Sequence, residues 1–258
     1  MSDFIHDFWQ SQAVKHGASH EASWGDHHMV ELEIETIGRH LADGAEVLDV
    51  GCANGYATFE QLARRRPKHV TGVDFAAQMI EVAQTERLRR KLEARCTFAT
   101  GDVRKLDFPD ARFDLVYTTR VLINLPNWAE QQQGIDECLR VTRPGGKVVL
   151  SEAFWEPLQL LNALRALKQL PPLVEHDFNR YLKQPRLEAL LAERGLKFTV
   201  EDFSSVYYLG SRFVRELVTD PAAYPGYSNP VNTAFFELER QYSGGGFGIQ
   251  QAYVIEKS

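Results

Sequence analysis

Three aspartates lie at the ends of short apolar segments, where they could bind a polar ligand. Asp49 is in EVLDV, Asp74 follows 25 residues later in GVDF, and Asp102 lies in TGDV. A carboxylate can accept hydrogen bonds from both hydroxyls of a ribose, which suits Asp74, while Asp102 could accept from an adenine amino group. The pattern indicates a site for a nucleoside without phosphates, because Asp49 would repel a pyrophosphate.

The turn after Asp49 excludes the common alternative, a dinucleotide site. A nicotinamide fingerprint needs glycines at Gly51 and at positions 53 and 56. Those last two positions hold Ala53 and Tyr56. The turn instead follows D-x-G-x-(G/A)-x-G and ends at Gly55, with small residues that let the backbone approach a ligand.

Five short apolar segments alternate with segments of helical periodicity and are predicted to be the strands that position this site. In order they are EVLDV, HVTGVDFA, CTFATGDV, FDLVYTT and KVVLSEAF. Their alternation with helices predicts a mostly parallel sheet covered by helices on both faces. Ligands of such sheets bind beyond the carboxyl ends of the strands, so the three aspartates should lie at one edge.

The pattern changes after Phe154, and the chain divides accordingly. A leucine-rich helix, an irregular HDFNRYL segment and a short helix follow. KFTVEDFSSVYYLGS is predicted to be the sixth strand and IQQAYVIEK the seventh. The predicted units are an N-terminal lid at 1–41, a cofactor-binding core at 42–154, a helical acceptor-recognition insert at 155–195, and C-terminal strands with a loop insertion at 196–258.

Composition excludes several classes of protein. The 258 residues carry a net charge of −6, which lacks the basic excess of a dedicated nucleic-acid binder. The three cysteines are too few for a disulfide framework and favour a reducing compartment. No apolar run is long enough to span a membrane, and the N-terminus has no signal-peptide core. We therefore expect a cytoplasmic protein with neither a membrane nor a nucleic-acid partner.

The motifs VLDVGCANG, GVDFA, GDV, FDLVYTTRVLINL and RPGGKVVLSE resemble, in this order, those of the class I S-adenosylmethionine-dependent methyltransferases. The resemblance covers about 46–152. It implies an α/β three-layer sandwich whose seven-stranded, mostly parallel sheet has an antiparallel last strand. It also implies S-adenosyl-L-methionine as cofactor and S-adenosyl-L-homocysteine as product. Ala53 stands where the family often has glycine, and we expect binding to tolerate its methyl group.

The resemblance assigns residues to the cofactor. Asp49 and the glycines after it would surround the methionine moiety, Asp74 would hold the ribose, and Asp102 would read the adenine. An aromatic face suits a sulfonium cation, so Trp24 is included, although it could equally anchor the lid. The predicted cofactor-binding residues are Asp49, Gly51, Ala53, Gly55, Asp74, Phe75, Asp102, Val103, Thr119 and Trp24.

Three residues are candidates for catalysis. His176 is the preferred general base because imidazole titrates near neutrality, with a surface or structural role as its alternative. Glu152, at the end of the fifth strand, could position an acceptor hydroxyl or amine. Arg120 could pair with a carboxylate or phosphate of the acceptor, or else form a salt bridge with Glu152 or another acid.

Candidate acceptor-binding residues are polar side chains outside the core motifs. Asn162 and Arg165 are three residues apart on one helix face, where they could also be boundary residues of an apolar stripe. Tyr207 and Arg212 are expected at the end of the sixth strand. The predicted set is Asn124, Asn162, Arg165, Asn179, Tyr181, Tyr207 and Arg212.

The histidine-rich segment HGASHEASWGDHHM raises a metal hypothesis, since histidine and carboxylate bind zinc. Apart from His16 and His20, no histidine pair there has the spacing of helical ligands, so we predict no metal.

These patterns predict a methyltransferase for a polar small molecule, with O-methylation favoured over N-methylation. A saccharide or a secondary metabolite is a candidate acceptor. The turn RVLINLPNW lacks the Asn/Asp-Pro-Pro-Tyr/Phe signature of DNA base methylation. Methylation of tRNA or protein, and a non-catalytic cofactor-binding regulatory partner, are the alternatives. A homodimer stays open.

Overall fold

The computed structural model describes residues 3–220, 223 and 225–257. The predicted lid and C-terminal unit therefore extend beyond it at 1–2, 221–222, 224 and 258. A seven-stranded sheet forms the centre, in the order β3-β2-β1-β4-β5-β7-β6. The strands are β1 Glu46–Val50, β2 His69–Asp74, β3 Cys96–Thr100, β4 Phe113–Thr119, β5 Thr142–Ala153, β6 Lys197–Glu201 and β7 Gln250–Glu256.

Strand directions follow the predicted pattern. The first five strands pair in parallel, and β7 runs antiparallel to both β5 and β6. The strand order reverses between β1 and β4, so the turns after these two strands flank the crevice where ligands bind in such sheets. The predicted fold class is confirmed.

Helices cover both faces of the sheet. The buried side chains of α2, α3 and α10 join one core cluster, and those of α5 and α7 join the other. The helices are α1 Asp3–His16, α2 His27–Gly38, α3 Tyr56–Arg64, α4 Ala77–Arg89, α5 Trp128–Val141, α6 Trp155–Leu167, α7 Gln184–Glu193, α8 Ser205–Leu209, α9 Arg215–Val218 and α10 Pro230–Glu239, with 3-10 turns at His20–Ala22 and Leu122–Asn124 and a π-turn at Gly210–Val214. No helix within the described ranges is long and apolar enough to cross a membrane.

The predicted sixth strand is wrong beyond Glu201. Two side chains beyond Glu201 bind the chain at and before the start of β7: the Ser204 hydroxyl donates to the Gln250 carbonyl at 2.6 Å, and Asp202 accepts from the Gly246 amide at 2.8 Å. The pairing of β6 with β7 ends at Glu201, and α8 begins at Ser205. Tyr207 therefore lies on a helix, not on a strand.

The N-terminal segment is attached to the sheet in two ways. Helix α1 contacts α4, whereas α2 belongs to the core and contacts α3 and β5. The Asn54 side chain, in the turn after β1, donates to the carbonyls of Gly17 and Ser19, both at 2.7 Å. The turn that was predicted to bind the cofactor therefore also holds the chain that follows α1.

Candidate active site

A cavity of about 620 Å³ lies at the carboxyl ends of the central strands. Its floor comes from the turns after β1, β2 and β4. Its cover comes from α1, from the segment 174–181 and from Tyr208. The sheet therefore brings the predicted motifs together with segments that are far from them in the sequence.

Most of the predicted cofactor residues line this cavity, namely Gly51, Ala53, Asp74, Phe75, Asp102, Val103, Thr119 and Trp24. Asp49 and Gly55 are not among its lining residues. The Asp49 carboxylate is buried and accepts from the Thr58 hydroxyl at 2.6 Å, which ties β1 to α3. Burial raises the pKa of Asp49 to about 6.

Asp74 joins the turns after β1 and β2. One of its carboxylate oxygens accepts from the Ala53 amide at 2.9 Å, and the other accepts from the Ala76 amide at 2.9 Å. Burial raises the pKa of Asp74 to about 6, although these hydrogen bonds favour the charged form. The carboxylate is held at the cavity surface with lone pairs left for a ligand.

Gly51 cannot be replaced by a residue with a side chain without displacing its neighbours. Its φ is +74°, and an added Cβ would lie 2.1 Å from Cγ2 of Val121. The turn after β1 and the turn after β4 are thus in contact at this point. Ala53, two residues later, has a φ of +47°, a left-handed conformation that costs an alanine free energy.

Asp102 is engaged by Arg104. The Arg104 amide donates to Oδ1 at 2.9 Å, and its guanidinium forms an ion pair with the same carboxylate. Partial burial would raise the pKa of Asp102, but the hydrogen bonds from Arg104 outweigh burial and lower it. Asp102 therefore stays ionised where it lines the cavity.

Glu152 lies behind the cavity and does not line it. Its Oε1 accepts from the Thr118 hydroxyl at 2.7 Å and from the amides of Val121 and Leu122 at 3.0 and 3.1 Å. These contacts hold the turn after β4 in place. Burial raises the pKa of this carboxyl.

Arg120 reaches the cavity from the same turn and pairs with an acid other than Glu152. Its Nε lies 3.2 Å from Oε1 of Glu33 on α2, and its guanidinium lies 4.5 Å from the centre of the Trp24 ring. Glu33 is 2% exposed and also accepts from the Gln250 side chain. Burial raises the pKa of Glu33 to about 7, against the opposing effect of Arg120.

His176 lines the cavity within a group of aromatic rings. Its ring centre lies 4.3 Å from that of Phe178 and 6.1 Å from that of Phe8. Phe178 in turn contacts Phe8 and Trp9 of α1, at 5.0 and 6.3 Å between ring centres. We call Phe8, Trp9, Phe178, Tyr181 and Tyr208 the aromatic wall, since all five line the cavity.

Of the predicted acceptor residues, Asn124, Asn179 and Tyr181 line the cavity. Asn162 instead binds both backbone polar groups of Leu173, at 2.9 and 2.8 Å, and Arg165 donates to the carbonyl of Pro171 at 2.9 Å.

Tyr207 and Arg212 are also absent from the cavity lining. The Tyr207 hydroxyl donates to Asp26 Oδ1 at 2.7 Å, and Arg212 Nη2 donates to Oδ2 at 2.6 Å. Asp26 precedes α2 and caps its first turn, so this pair of contacts joins the N-terminal segment to α8 and the π-turn.

Among the described residues that line the cavity, three have buried polar atoms without a hydrogen-bond partner. The atoms are Oγ1 of Thr119, Nε of Arg120 and Oδ1 of Asn124. The amide nitrogen of Asn124 donates to the Arg120 carbonyl at 2.6 Å, so the side chain is oriented while its oxygen is left without a partner. A buried polar atom without a partner in a cavity is a site where a ligand can bind.

A second cavity of about 310 Å³ adjoins the first. It is lined by Trp155, Leu158 and Leu173 among others. Residues 174–177 line both cavities and form the wall between them. Among the described side chains, no group of three or more histidines, cysteines or acids is arranged to hold a metal.

The sequence reasoning missed Phe8, Trp9, Phe178 and Tyr208 as cavity residues, and Glu33 as the partner of Arg120. The available signal for the aromatic residues was their density in DFIHDFWQ and HDFNRYL. Glu33 lies four residues from both Met29 and Ile37, so helical periodicity could have placed this acid on the buried face of α2.

The region that carries the predicted motifs also matches known proteins. A family model described as "methyltransferase domain" matches residues 47–146. The ubiquinone biosynthesis O-methyltransferase of Alkalilimnicola ehrlichii is 30% identical over 176 residues, which cover 66% of this chain and 68% of that protein. The O-methyltransferase rstn1 of Aspergillus nomiae is 26% identical over 197 residues, covering 71% of this chain and 82% of that protein.

A solved structure shares the fold. The geranyl diphosphate C-methyltransferase of Streptomyces coelicolor, in complex with Mg²⁺, geranyl diphosphate and S-adenosyl-L-homocysteine, matches with a TM-score of 0.58 and 16% identity. The match covers 89% of this chain and 79% of that one. At this identity the likeness shows the architecture alone.

Proposed function

This chain belongs to the class I S-adenosylmethionine-dependent methyltransferases, and from that membership we propose that it methylates an oxygen atom of a small aromatic acceptor. The observation that carries the proposal is the aromatic wall, whose five rings come from α1, from the segment 174–181 and from α8, and line the cavity. Aromatic side chains bind flat rings by stacking and edge contacts. The acceptor expected from the sequence was polar, and the wall favours an aromatic ring that bears hydroxyl groups.

The residues present fit the cofactor of this family. The Asp74 carboxylate has the lone pairs to accept from ribose hydroxyls, and the buried oxygens of Thr119 and Asn124 lack the donors that a ligand would supply. Gly51 leaves no room even for a methyl group, so the backbone itself forms this part of the surface. When bound, S-adenosyl-L-methionine supplies an electrophilic methyl group on a sulfonium.

The chain contributes alignment, exclusion of water and a proton acceptor. Helix α1 and the segment 174–181 cover the cavity and would exclude water from an acceptor on the aromatic wall. An imidazole nitrogen of His176 would take the proton of the acceptor hydroxyl. Glu152 acts at a distance by fixing the turn that bears Arg120.

An oxygen acceptor is favoured over a nitrogen acceptor. Both relatives named above are O-methyltransferases by name. A hydroxyl must lose its proton to become a good nucleophile. His176 lines the cavity, and its ring makes no hydrogen bond to the described residues. The cavity of about 620 Å³ has to hold cofactor and acceptor together, which supports a small molecule rather than a tRNA or a protein.

Cys52, Cys96 and Cys138 are buried and free of disulfides, which supports the cytoplasm as the proposed compartment. The homodimer stays a prediction.

The proposal is tested with a panel of acceptors. Purified protein and S-adenosyl-L-methionine are incubated with phenols, catechols, sugars, aliphatic alcohols and aromatic amines, and the methylated products are identified by mass spectrometry. Methylation confined to hydroxylated rings is expected. Transfer only to sugars or amines would contradict the proposal, and binding of cofactor without transfer to any member would favour a regulatory protein.

The role of His176 has its own test. His176→Gln keeps a polar side chain but accepts a proton poorly, so kcat should fall by about a hundredfold while the affinity for S-adenosyl-L-homocysteine stays unchanged. His69→Gln is the matched control, since His69 lies at the start of β2, hydrogen-bonds Thr97 and does not line the cavity. Unchanged turnover of the His176 variant would reject it as the base.

A further inference from the structure

Arg120 is the only lysine or arginine among the described residues that line the cavity. Its backbone has a φ of +56°, in the left-handed region that is unfavourable for an arginine. The strained residue is fixed on both sides, because its amide donates to the Ser151 carbonyl at 2.9 Å and its carbonyl accepts from Asn124 at 2.6 Å. The turn after β4 is therefore built so that this one side chain enters the cavity.

The guanidinium of Arg120 is held on one edge and one face. Glu33 lies 3.2 Å from Nε, and the Trp24 ring covers one face at 4.5 Å. The contact of Nε with Glu33 is an ion pair without a hydrogen bond, and no hydrogen bond joins Nη1 or Nη2 to the described part of the chain. This is the arrangement in which an arginine presents two parallel N–H donors to a carboxylate.

Glu33 fixes the guanidinium without removing its capacity to bind an anion. Burial raises the pKa of Glu33 to about 7, and the neighbouring acids Asp26 and Glu152 raise it further, against Arg120 and the Gln250 hydrogen bond. Near neutral pH Glu33 is therefore divided between its charged and neutral forms. The pair retains part of a positive charge, in a cavity whose described lining contains several acids and no other lysine or arginine.

We propose that Arg120 binds a carboxylate of the acceptor, so that the preferred substrates are hydroxylated aromatic acids. This inference rests on the proposed function and adds the acidic group to it. Glu33 and Trp24 act as positioning residues, because they orient the guanidinium and do not themselves have to touch the acid. The cofactor also carries a carboxylate, on its amino-acid portion, and the experiment separates the two sources.

The experiment measures binding without turnover. Protein saturated with S-adenosyl-L-homocysteine is titrated with acid and amide pairs of the same shape, 4-hydroxybenzoate against 4-hydroxybenzamide and 6-hydroxy-2-naphthoate against its amide. Quenching of tryptophan fluorescence reports binding, since Trp9 and Trp24 line the cavity. Wild-type protein should bind at least one acid about tenfold or more tightly than its amide.

The variants identify the residue and the source of the carboxylate. Arg120→Gln should bring the acid-to-amide ratio to about one, and Arg120→Lys should retain part of it. Arg143→Gln, at an exposed arginine paired with Asp114, is the control and should leave the ratio unchanged. Melting temperatures of all the variants confirm folding. S-adenosyl-L-homocysteine and 5′-deoxy-5′-methylthioadenosine, which lacks the amino-acid portion, are titrated separately.

Three results would overturn the proposal. The wild-type protein could show no preference for acids over amides, or the preference could persist in Arg120→Gln. In the third, Arg120→Gln would lose affinity for S-adenosyl-L-homocysteine titrated without an acceptor. The last would assign Arg120 to the carboxylate of the cofactor. If neutral phenols are methylated without any acid preference, this inference fails while the proposed function stands. If acids bind through Arg120 but no hydroxylated ring is methylated, the proposed function fails instead.

Discussion

The two halves of the cavity are assembled in different ways. The half proposed to bind the cofactor, the cofactor half, comes from turns between Val50 and Val103, each of which directly follows a strand of the sheet. The half proposed to bind the acceptor, the acceptor half, brings together α1, the Arg120 turn, the segment 174–181 and Tyr208. The first half is determined by short-range connections to parallel strands, and the second by packing between distant parts of the chain. We therefore expect the first half to be rigid and intolerant of substitution, and the second half to adjust to substitution.

The largest expected effect tests the rigidity of the cofactor half. Gly51→Ala adds a Cβ 2.1 Å from Val121 at a φ of +74°. We expect the free energy of unfolding to fall by about 3–4 kcal/mol, from overpacking and left-handed strain together. Chemical denaturation measures this change in the free energy of unfolding.

Gly145→Ala is the matched control, because Gly145 has a φ of +76° and nothing within 4 Å of an added Cβ. Only the strain applies there, at about 1 kcal/mol. The double variant Gly51→Ala with Val121→Ala should recover part of the loss. Equal losses at Gly51 and Gly145 would mean that the two turns are not in tight contact.

The second-largest expected effect concerns Glu33, the buried acid that pairs with Arg120. The pKa of Glu33 is about 7 in the folded chain against 4.5 in the unfolded chain. As the pH rises, the folded chain loses the Glu33 proton at a higher pH than the unfolded chain does. Glu33 therefore contributes stability that is fully present below pH 4.5 and is lost as the pH rises through 7. Gln does not titrate, so the stability of Glu33→Gln relative to wild type should rise by about 3 kcal/mol between pH 4.5 and pH 8.

Denaturant unfolding of the wild type and of Glu33→Gln across this pH range measures the difference between their free energies of unfolding. The contributions of the other titrating groups cancel in that difference. Glu35→Gln, on the same helix and paired with Arg240 at the surface, should show no comparable trend. A flat difference for Glu33→Gln would mean that the acid is not buried in its neutral form near pH 7.

A smaller and more selective effect is expected at Asp74. Asp74→Ala removes the carboxylate that accepts from the Ala53 and Ala76 amides. Affinity for S-adenosyl-L-homocysteine should fall by about a hundredfold, since hydrogen bonds to charged groups are worth about 1.5–3 kcal/mol each. Calorimetry measures it, with the exposed Asp107→Asn as control. Near-wild-type affinity would reject Asp74 as the ribose ligand.

The smallest effect is expected on the aromatic wall. Phe178→Ala removes a ring that contacts Phe8, Trp9 and His176. KM for the acceptor should rise by about tenfold, with the affinity for S-adenosyl-L-homocysteine unchanged. Tyr242→Ala, at an exposed aromatic residue, is the control. Loss of cofactor affinity in Phe178→Ala would mean that the two halves are not separable.

The same difference explains how far sequence reasoning succeeded. Asp74 and Asp102 could be located because an acid at the end of a parallel strand must lie at the ligand-binding edge. Phe8 and Phe178 could not, because their orientation depends on how α1 packs against a segment about 170 residues away. Local signals were sufficient for the cofactor half only.

Tyr207 illustrates a second limit. Its surroundings, SSVYYLGS, are rich in residues that favour strands. The strand nevertheless ends at Glu201, because Asp202 and Ser204 bind the chain that enters β7. Those partners lie more than 40 residues away, so propensity was overridden by a contact that the local sequence does not reveal.

The wall between the two cavities has a consequence for how this chain could acquire new substrates. Residues 174–177 are a single layer of chain, in a connection between α6 and α7 that carries no other helix or strand within the described residues. Smaller side chains there would join a space of about 310 Å³ to one of about 620 Å³. Substitutions at 174, 175 and 177, which leave His176 in place, would therefore enlarge the proposed acceptor site without any change in the turns proposed to bind the cofactor.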